Sequence, residues 1–204
     1  MNQTEALQRI QKLGVPSFET RDVSALLRVS PANASALLSR LAGRDFVHRL
    51  ARGRWSIGVQ PNRERLAEQV AAPSPAYVSL QSALFRHGLI EQVPEVLFAG
   101  TLGRARRVHT PSGTVSLHRI PPALFGGYET AADGTKVATA EKALFDHLYL
   151  SPTRSRLFAS LPEMELPRRF RWADVANWAK KIKGKSRRTF VERKLALLKS
   201  AHSL

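Results

Sequence analysis

The chain has 204 residues, 43% hydrophobic and 24% charged, enough for one substantial core or two modest ones, and two domains are expected. It has no cysteine, which rules out a disulfide framework, a thiolate zinc site and a cysteine nucleophile. Lys and Arg outnumber Asp and Glu by 32 to 16, and a net charge of +16 draws polyanions, because neutralising phosphates releases condensed counterions.

The opening stretch MNQTEALQRIQ has no apolar run behind its positive charges, so no secretory signal is expected there. No segment approaches the roughly 18 apolar residues that span a bilayer, and a soluble, cytoplasmic protein is the expectation. The charge is uneven: residues 1–75 carry +5, residues 76–166 carry +1 and residues 167–204 carry +10. A nearly neutral middle is thus flanked by basic modules. Nucleic acid is the favoured partner, with a ribosome-associated or merely basic protein as the competing readings.

Thr4 is placed to cap a first helix that buries Ala6, Leu7, Ile10 and Leu13, and Gly14 with Val15-Pro16 ends it. Phe18 reads as a core anchor before Thr20, the expected cap of a second helix over 21–27. Ser30 and Pro31 then start a third helix, 31–42, with Ala34, Leu37, Leu38 and Leu41 on one face. Residues 45–50 and 55–58 flank a tight 51–54 turn, a hairpin signal, with Phe46, Leu50, Trp55 and Ile57 expected inward.

Three short helices followed by a hairpin is the order of a winged helix-turn-helix, and residues 1–60 are read as that DNA-binding domain. The third helix leaves Ala32, Asn33, Ser35, Ala36, Ser39 and Arg40 outward, small and hydrogen-bonding groups suited to base edges in a major groove. Arg49, Arg52 and Arg54 on the hairpin are suited to phosphates or the minor groove. A winged helix used for protein contacts is the alternative.

Residues 61–75, opening on Pro61 and closing on Ala72-Pro73-Ser74-Pro75, read as a linker with a short charged helix over 62–71. Residues 76–204 form the second domain, α+β with a basic helical end. It starts with a helix from about Ser79 to His87, a buried strand over 97–101, and a hairpin of 106–110 and 114–119. Asp133-Gly134 turns into Lys136-Val137-Ala138, and Thr139 caps a helix over 140–150. Further helices are expected over 152–160, 172–183 and 186–200. The fold class is therefore α+β: an N-terminal winged helix-turn-helix followed by an α+β domain ending in basic helices.

Several ordered segments carry a family resemblance. They are Tyr77-Val78-Ser79-Leu80-Gln81-Ser82-Ala83-Leu84, His87-Gly88-Leu89-Ile90, Gln92-Val93-Pro94, Gly103-Arg104 with Arg107, Ile120-Pro121-Pro122, Phe125 through Tyr128, and Val137 through Asp146. Following a winged helix, they resemble the AbiEi antitoxins of type IV (abortive infection, phage defence) toxin–antitoxin systems. Members commonly have Pro where this chain has Ala140, a departure that leaves the helix start intact. The resemblance covers nearly the whole chain. It implies a transcriptional autorepressor binding inverted repeats in its own promoter. It also implies an antitoxin that counters a nucleotidyltransferase-like toxin without a stable complex.

No enzyme motif appears. His48, His87, His109, His118, His147 and His202 fall in no metal-ligand spacing, and there is no G-x-S-x-G, P-loop or dinucleotide fingerprint. Neither a cofactor nor a metal is expected. Glu141 and Asp146, five apart on one helix, lie off each other's face; Glu141 is read as favouring the helix N-terminus, Asp146 as bonding a loop or pairing with an arginine. Arg104, Arg106 and Arg107 read either as solvated or paired surface or as an anion or nucleic-acid surface. In the +10 tail, Lys180, Lys181, Lys183, Lys185, Arg187 and Arg188 are read as contacting RNA or DNA, since apolar stripes keep the segment folded while its charges repel. The rival functions are a stand-alone winged-helix regulator and a nucleic-acid-processing enzyme centred on Glu141 and Asp146.

Overall fold

Asn2 rather than Thr4 caps α1 (Gln3–Gln11), its side-chain oxygen accepting from the Glu5 N–H at 2.7 Å. In this computed structural model, which describes residues 2–15, 17–57, 62–152, 158 and 160–202, the fold is mixed α+β with eight α-helices and two sheets among those residues. β1 (Phe18–Glu19) leads into α2 (Thr20–Leu27), which starts at Thr20 because Glu19 and Asp22 form a reciprocal capping box. α3 (Pro31–Ala42) begins as expected, with the Ser30 side chain accepting from the Asn33 N–H and Pro31 in the first turn. β2 (Val47–Ala51) and β3 (Arg54–Ile57) complete an antiparallel sheet in the order β1-β3-β2. Ala6, Ile10, Val23, Leu38, Val47 and Trp55 sit at the centre of this first core.

Of the residues expected inward on the hairpin, Phe46 is not, and Leu50 is buried in a different core from its neighbours. Phe46 precedes β2 and is 46% exposed, whereas Val47 has no exposed surface. The β2–β3 register slips between Arg49 and Ala51, and this bulge turns Leu50 away from the first core into the second. Gly58, at the end of the expected hairpin, lies outside the described residues.

The stretch read as a linker does more than connect. α4 (Leu66–Ala71) buries Leu66, Ala67, Val70 and Ala71 in the second core. The helix is pinned by an ion pair between Lys136 and Glu68 at 2.6 Å, and the residues ahead of it by an ion pair between Arg86 and Glu64 and a hydrogen bond from Asn62 to Asp133 at 2.9 Å. Ser17 donates to the Gln69 carbonyl at 2.8 Å, tying the first unit to the same helix.

The second unit runs β4 (Ala76–Val78), α5 (Leu80–Arg86), β5 (Val96–Thr101), β6 (Arg106–Thr110), β7 (Gly113–Arg119), a 3-10 turn at Pro122–Leu124, β8 (Tyr128–Thr130), β9 (Lys136–Ala138) and α6 (Ala140–Leu150). It closes with α7 (Trp172–Lys180) and α8 (Lys185–Ala201). The sheet order is β6-β7-β5-β4-β9-β8, with β5/β7 and β4/β9 parallel and the other pairs antiparallel. Most of the helix expected over 152–160 falls outside the described residues.

α6 carries a polar cluster in the middle of this core. Lys142, Asp146, Tyr77 and Ser79 all have no exposed surface. Lys142 pairs with Asp146 one turn on and donates to the Tyr77 hydroxyl at 2.9 Å; Tyr77 and Ser79 donate to Asp146 Oδ2 at 2.9 and 2.7 Å. Burial pulls the Lys142 ammonium below the ordinary lysine range, against the Asp146 charge that holds it up. Burial, then the Asp146 charge, pushes the Tyr77 phenol upward, so it stays a donor. The Trp178 ring lies 4.8 Å from Lys142 Nζ, over Gly127, where an added methyl would meet the indole at 2.7 Å.

Removing one partner leaves a buried charge unpaired. Asp146→Ala is expected to cost about 3–5 kcal/mol in urea unfolding, while Lys142→Met with Asp146→Leu recovers much of that loss. A single variant as stable as the double one would remove the pair from the core's energetics.

His118 and His147 pack edge-on against Phe158 at 4.9 and 5.2 Å, and burial pushes both imidazoles down to about 4. With folded values below the ordinary value, the unfolded chain binds more protons between them. Stability is therefore full above about pH 6.5 and falls as the pH drops toward about 4, by at most about 1.4 kcal/mol per pH unit for each histidine. Urea midpoints at about pH 7.5 and about pH 5 check the sign, and His147→Gln reduces the difference.

Candidate nucleic-acid interface

The polar face of α3 follows from how the helix is packed. Ala34, Leu37, Leu38 and Leu41 are buried, which leaves Ala32, Asn33, Ser35, Ala36, Ser39 and Arg40 exposed on the opposite side. The turn into α3 is firm: Arg28 adopts a left-handed conformation (φ 53°), and the Ser24 hydroxyl donates to the Val29 carbonyl at 2.7 Å.

The hairpin sits beside the start of α2. Gly53, at φ +72°, accepts from the Thr20 N–H at 2.9 Å, and the Trp55 indole donates to the Thr20 hydroxyl at 3.0 Å. Arg49 and Arg52 are exposed, with the Arg49 guanidinium 5.8 Å from the Trp55 ring. Arg54 is held instead. It faces Glu19 across the β1–β3 pair, donating to its carboxylate at 2.6 Å, and reaches the Ala72 carbonyl at 2.6 Å, with 19% of its side chain exposed. Those contacts remove it from the freely projecting set expected of the hairpin.

One of the second-unit arginines is likewise held. Arg104, Arg106 and Arg107 are all exposed, and Arg106 is in addition held by a hydrogen bond to the Val70 carbonyl at 2.5 Å. In the helical end, Lys180, Lys183 and Lys185 are exposed and Arg188 half-buried. Lys181 lies 3.8 Å from the Trp178 ring centroid; Arg187 donates to the Tyr149 carbonyl at 2.7 Å and covers the Tyr149 ring. The fold brings Arg52 and Arg54 of the hairpin together with Arg104 and Arg106, and adds Arg21, which the motif reading did not select.

Glu141 and Asp146 are not a working pair. Glu141 accepts from the Arg171 N–H at 3.1 Å, while both Asp146 oxygens are engaged inside the core. Among the described residues no cluster of three or more His, Asp or Glu is arranged for a metal. The Lys142, Tyr77 and Ser79 surroundings of Asp146 were not legible as a group. Only the four-residue spacing of Lys142 and Asp146 marks a helical pair in advance.

No family model matches the chain, and no curated protein matches it either.

Proposed function

We propose that the first unit is a winged helix-turn-helix that reads double-stranded DNA with α3, and that the chain is an autorepressor and antitoxin of a type IV toxin–antitoxin system. The single observation that carries DNA reading is the outer face of α3: Asn33, Ser35, Ala36, Ser39 and Arg40 exposed together on a helix seated against α2. Small residues let a helix approach the floor of a major groove, and Asn, Ser and Arg supply donors and acceptors for base edges. Arg49 and Arg52 supply sequence-independent phosphate contacts on the hairpin. The net charge of +16 supplies long-range attraction.

The antitoxin half rests on the ordered motifs of the second unit. Two of them, Tyr77 to Ser79 and Lys142 to Asp146, meet in the buried cluster, so their residue types answer to one packing requirement. The proposed target is a nucleotidyltransferase-like toxin. A cut at Pro73 would strip α4 from the second core, so the functions are best separated by substitution in the full chain.

Binding to the chain's own promoter tests the first half. Arg40→Ala is expected to cost about 1–3 kcal/mol and to relax preference at one base position. A uniform loss on all sequences would make Arg40 a phosphate contact. Arg52→Gln should lower the salt slope by about one, whereas Arg54→Gln lowers thermal stability with less effect on the slope. Growth rescue beside a cognate toxin tests the second half: the Arg40→Ala chain should rescue as the parent does. Its failure to rescue while folded would join the two activities in one surface.

A further inference from the structure

The hairpin tip of the first unit and the β5–β6 connection of the second border an open cleft of about 700 Å³. Arg21, Arg52, Arg54, Arg104 and Arg106 line it against one carboxylate, Glu19. That carboxylate is divided between Arg21 at 2.7 Å and Arg54 at 2.6 Å, so the lining keeps a large positive excess.

Arg54 and Arg106 converge on a single acceptor, the Val70 carbonyl, at 3.5 and 2.5 Å. Two guanidinium groups held to one neutral oxygen repel each other, and the Glu19 carboxylate, shared between Arg54 and Arg21, offsets that repulsion on the Arg54 side alone. Burial first, and the Arg54 charge second, pull the Arg106 guanidinium below its ordinary value. On the wall, Gly103 abuts Ser74 so closely that an added methyl would stand 2.8 Å from its hydroxyl oxygen, which brings the Arg104 segment onto the 72–74 loop.

We propose that this cleft is a binding site for a small oligophosphate anion, clamped between the hairpin arginines and Arg104 with Arg106. Guanidinium forks match phosphate oxygens two at a time, and several phosphates in a row answer several arginines. The volume lies within the range of small-ligand sites, about 300–1,000 Å³. A duplex is a rigid cylinder and meets a concave surface at its rim. It reaches rim residues such as Arg21 and Arg52, but not Arg54, which is only 19% exposed. The site does not depend on the DNA-reading proposal, since Arg40 and the outer face of α3 lie outside the cleft. An occupant would bridge the two units and neutralise the charges that meet there.

The test uses the full chain with inorganic tripolyphosphate as probe, by calorimetric titration and thermal shift, against sodium chloride of matched ionic strength. Saturable one-to-one binding with a rise in Tm is expected, because a ligand bound only by the folded state stabilises it. Arg104→Gln, at an exposed position, and Arg104→Gln with Arg106→Gln should each weaken binding by about tenfold or more. Lys180→Gln with Lys183→Gln should change it less than about twofold. Because Arg106 also anchors the Val70 carbonyl, the single Arg104 variant carries the test if the double variant unfolds. Binding no stronger than the salt control, or weakened equally by the Lys180 and Lys183 changes, overturns the proposal. A duplex titration separates the two sources of phosphate. If Arg104→Gln lowers the salt slope of DNA binding by about one and leaves tripolyphosphate binding unchanged, the cleft holds nucleic-acid backbone and the proposal falls.

Discussion

An ammonium group with no exposed surface has to be neutralised where it lies, and Lys142 imposes that demand at the centre of the second core. Asp146 answers it from one turn further along α6, but a carboxylate buried there brings lone pairs of its own to satisfy. Tyr77 of β4 and Ser79, which follows that strand at the start of α5, donate to them. The aromatic faces of Phe145 and Trp178 close over the ammonium at 5.1 and 4.8 Å. One charge thus sets the register of α6 against β4 and the docking of α7 over α6. Gly127 follows from the same demand, because any side chain there would displace the indole. A wholly apolar core would tolerate small slips of α6; this one does not, since a slip would carry the Lys142–Asp146 pair away from the Tyr77 and Ser79 hydroxyls and leave buried lone pairs without donors.

The junction between the units is electrostatic in a different way. α4 ends at Ala71, and its last carbonyls, like those of any helix, carry partial negative charge with no intrahelical donor. Arg54 from the hairpin and Arg106 from β6 both bond to the Val70 carbonyl, and Arg54 also bonds to Ala72. Leu50 adds an apolar contact by crossing into the second core. The hairpin is therefore braced by the element that follows it in sequence. That geometry gathers the arginines around the cleft, because guanidinium groups on both units are drawn to the same helix end.

Local chemistry was legible, and distant pairing was not. The Ser30-Pro31 start and Gly43 stop of α3, the 106–119 hairpin and the span of α6 all rest on caps and turns within a few residues, and these bounds follow from the residues themselves. Phe46 lies just ahead of β2 and faces solvent, while Leu50 is buried as expected but in the second core, because a bulge between Arg49 and Ala51 resets which side it faces and no alternation pattern announces it. Arg54 looked like its neighbours on the hairpin; its fate was decided by Glu19 on a two-residue strand and by a carbonyl at Ala72. In the 61–75 stretch, Arg63, Glu64, Arg65 and Glu68 suggested solvent. The apolar set Leu66, Ala67, Val70 and Ala71 has helical spacing, yet which face would be covered depended on a sheet that forms later in the chain. Lys142 and Asp146 had a readable spacing but an unreadable depth.

The distribution of charge separates attraction from discrimination. On the proposed reading, the face of α3 that meets bases carries one cation, Arg40, among neutral small groups, while the cations concentrate on the hairpin, the cleft and the helical end. In that end, Arg187 and Lys181 rest on ring faces and a carbonyl, neutral partners that orient a cation without cancelling it. The +10 of residues 167–204 therefore persists as a field around a folded helical pair. A field of this kind acts over about a Debye length, roughly 8–10 Å at moderate salt, and is blind to base sequence. The weakly charged face of α3 acts only at contact and is less affected by salt. Affinity would then weaken steeply with ionic strength while preference between sites holds, because the two properties reside in different parts of the molecule.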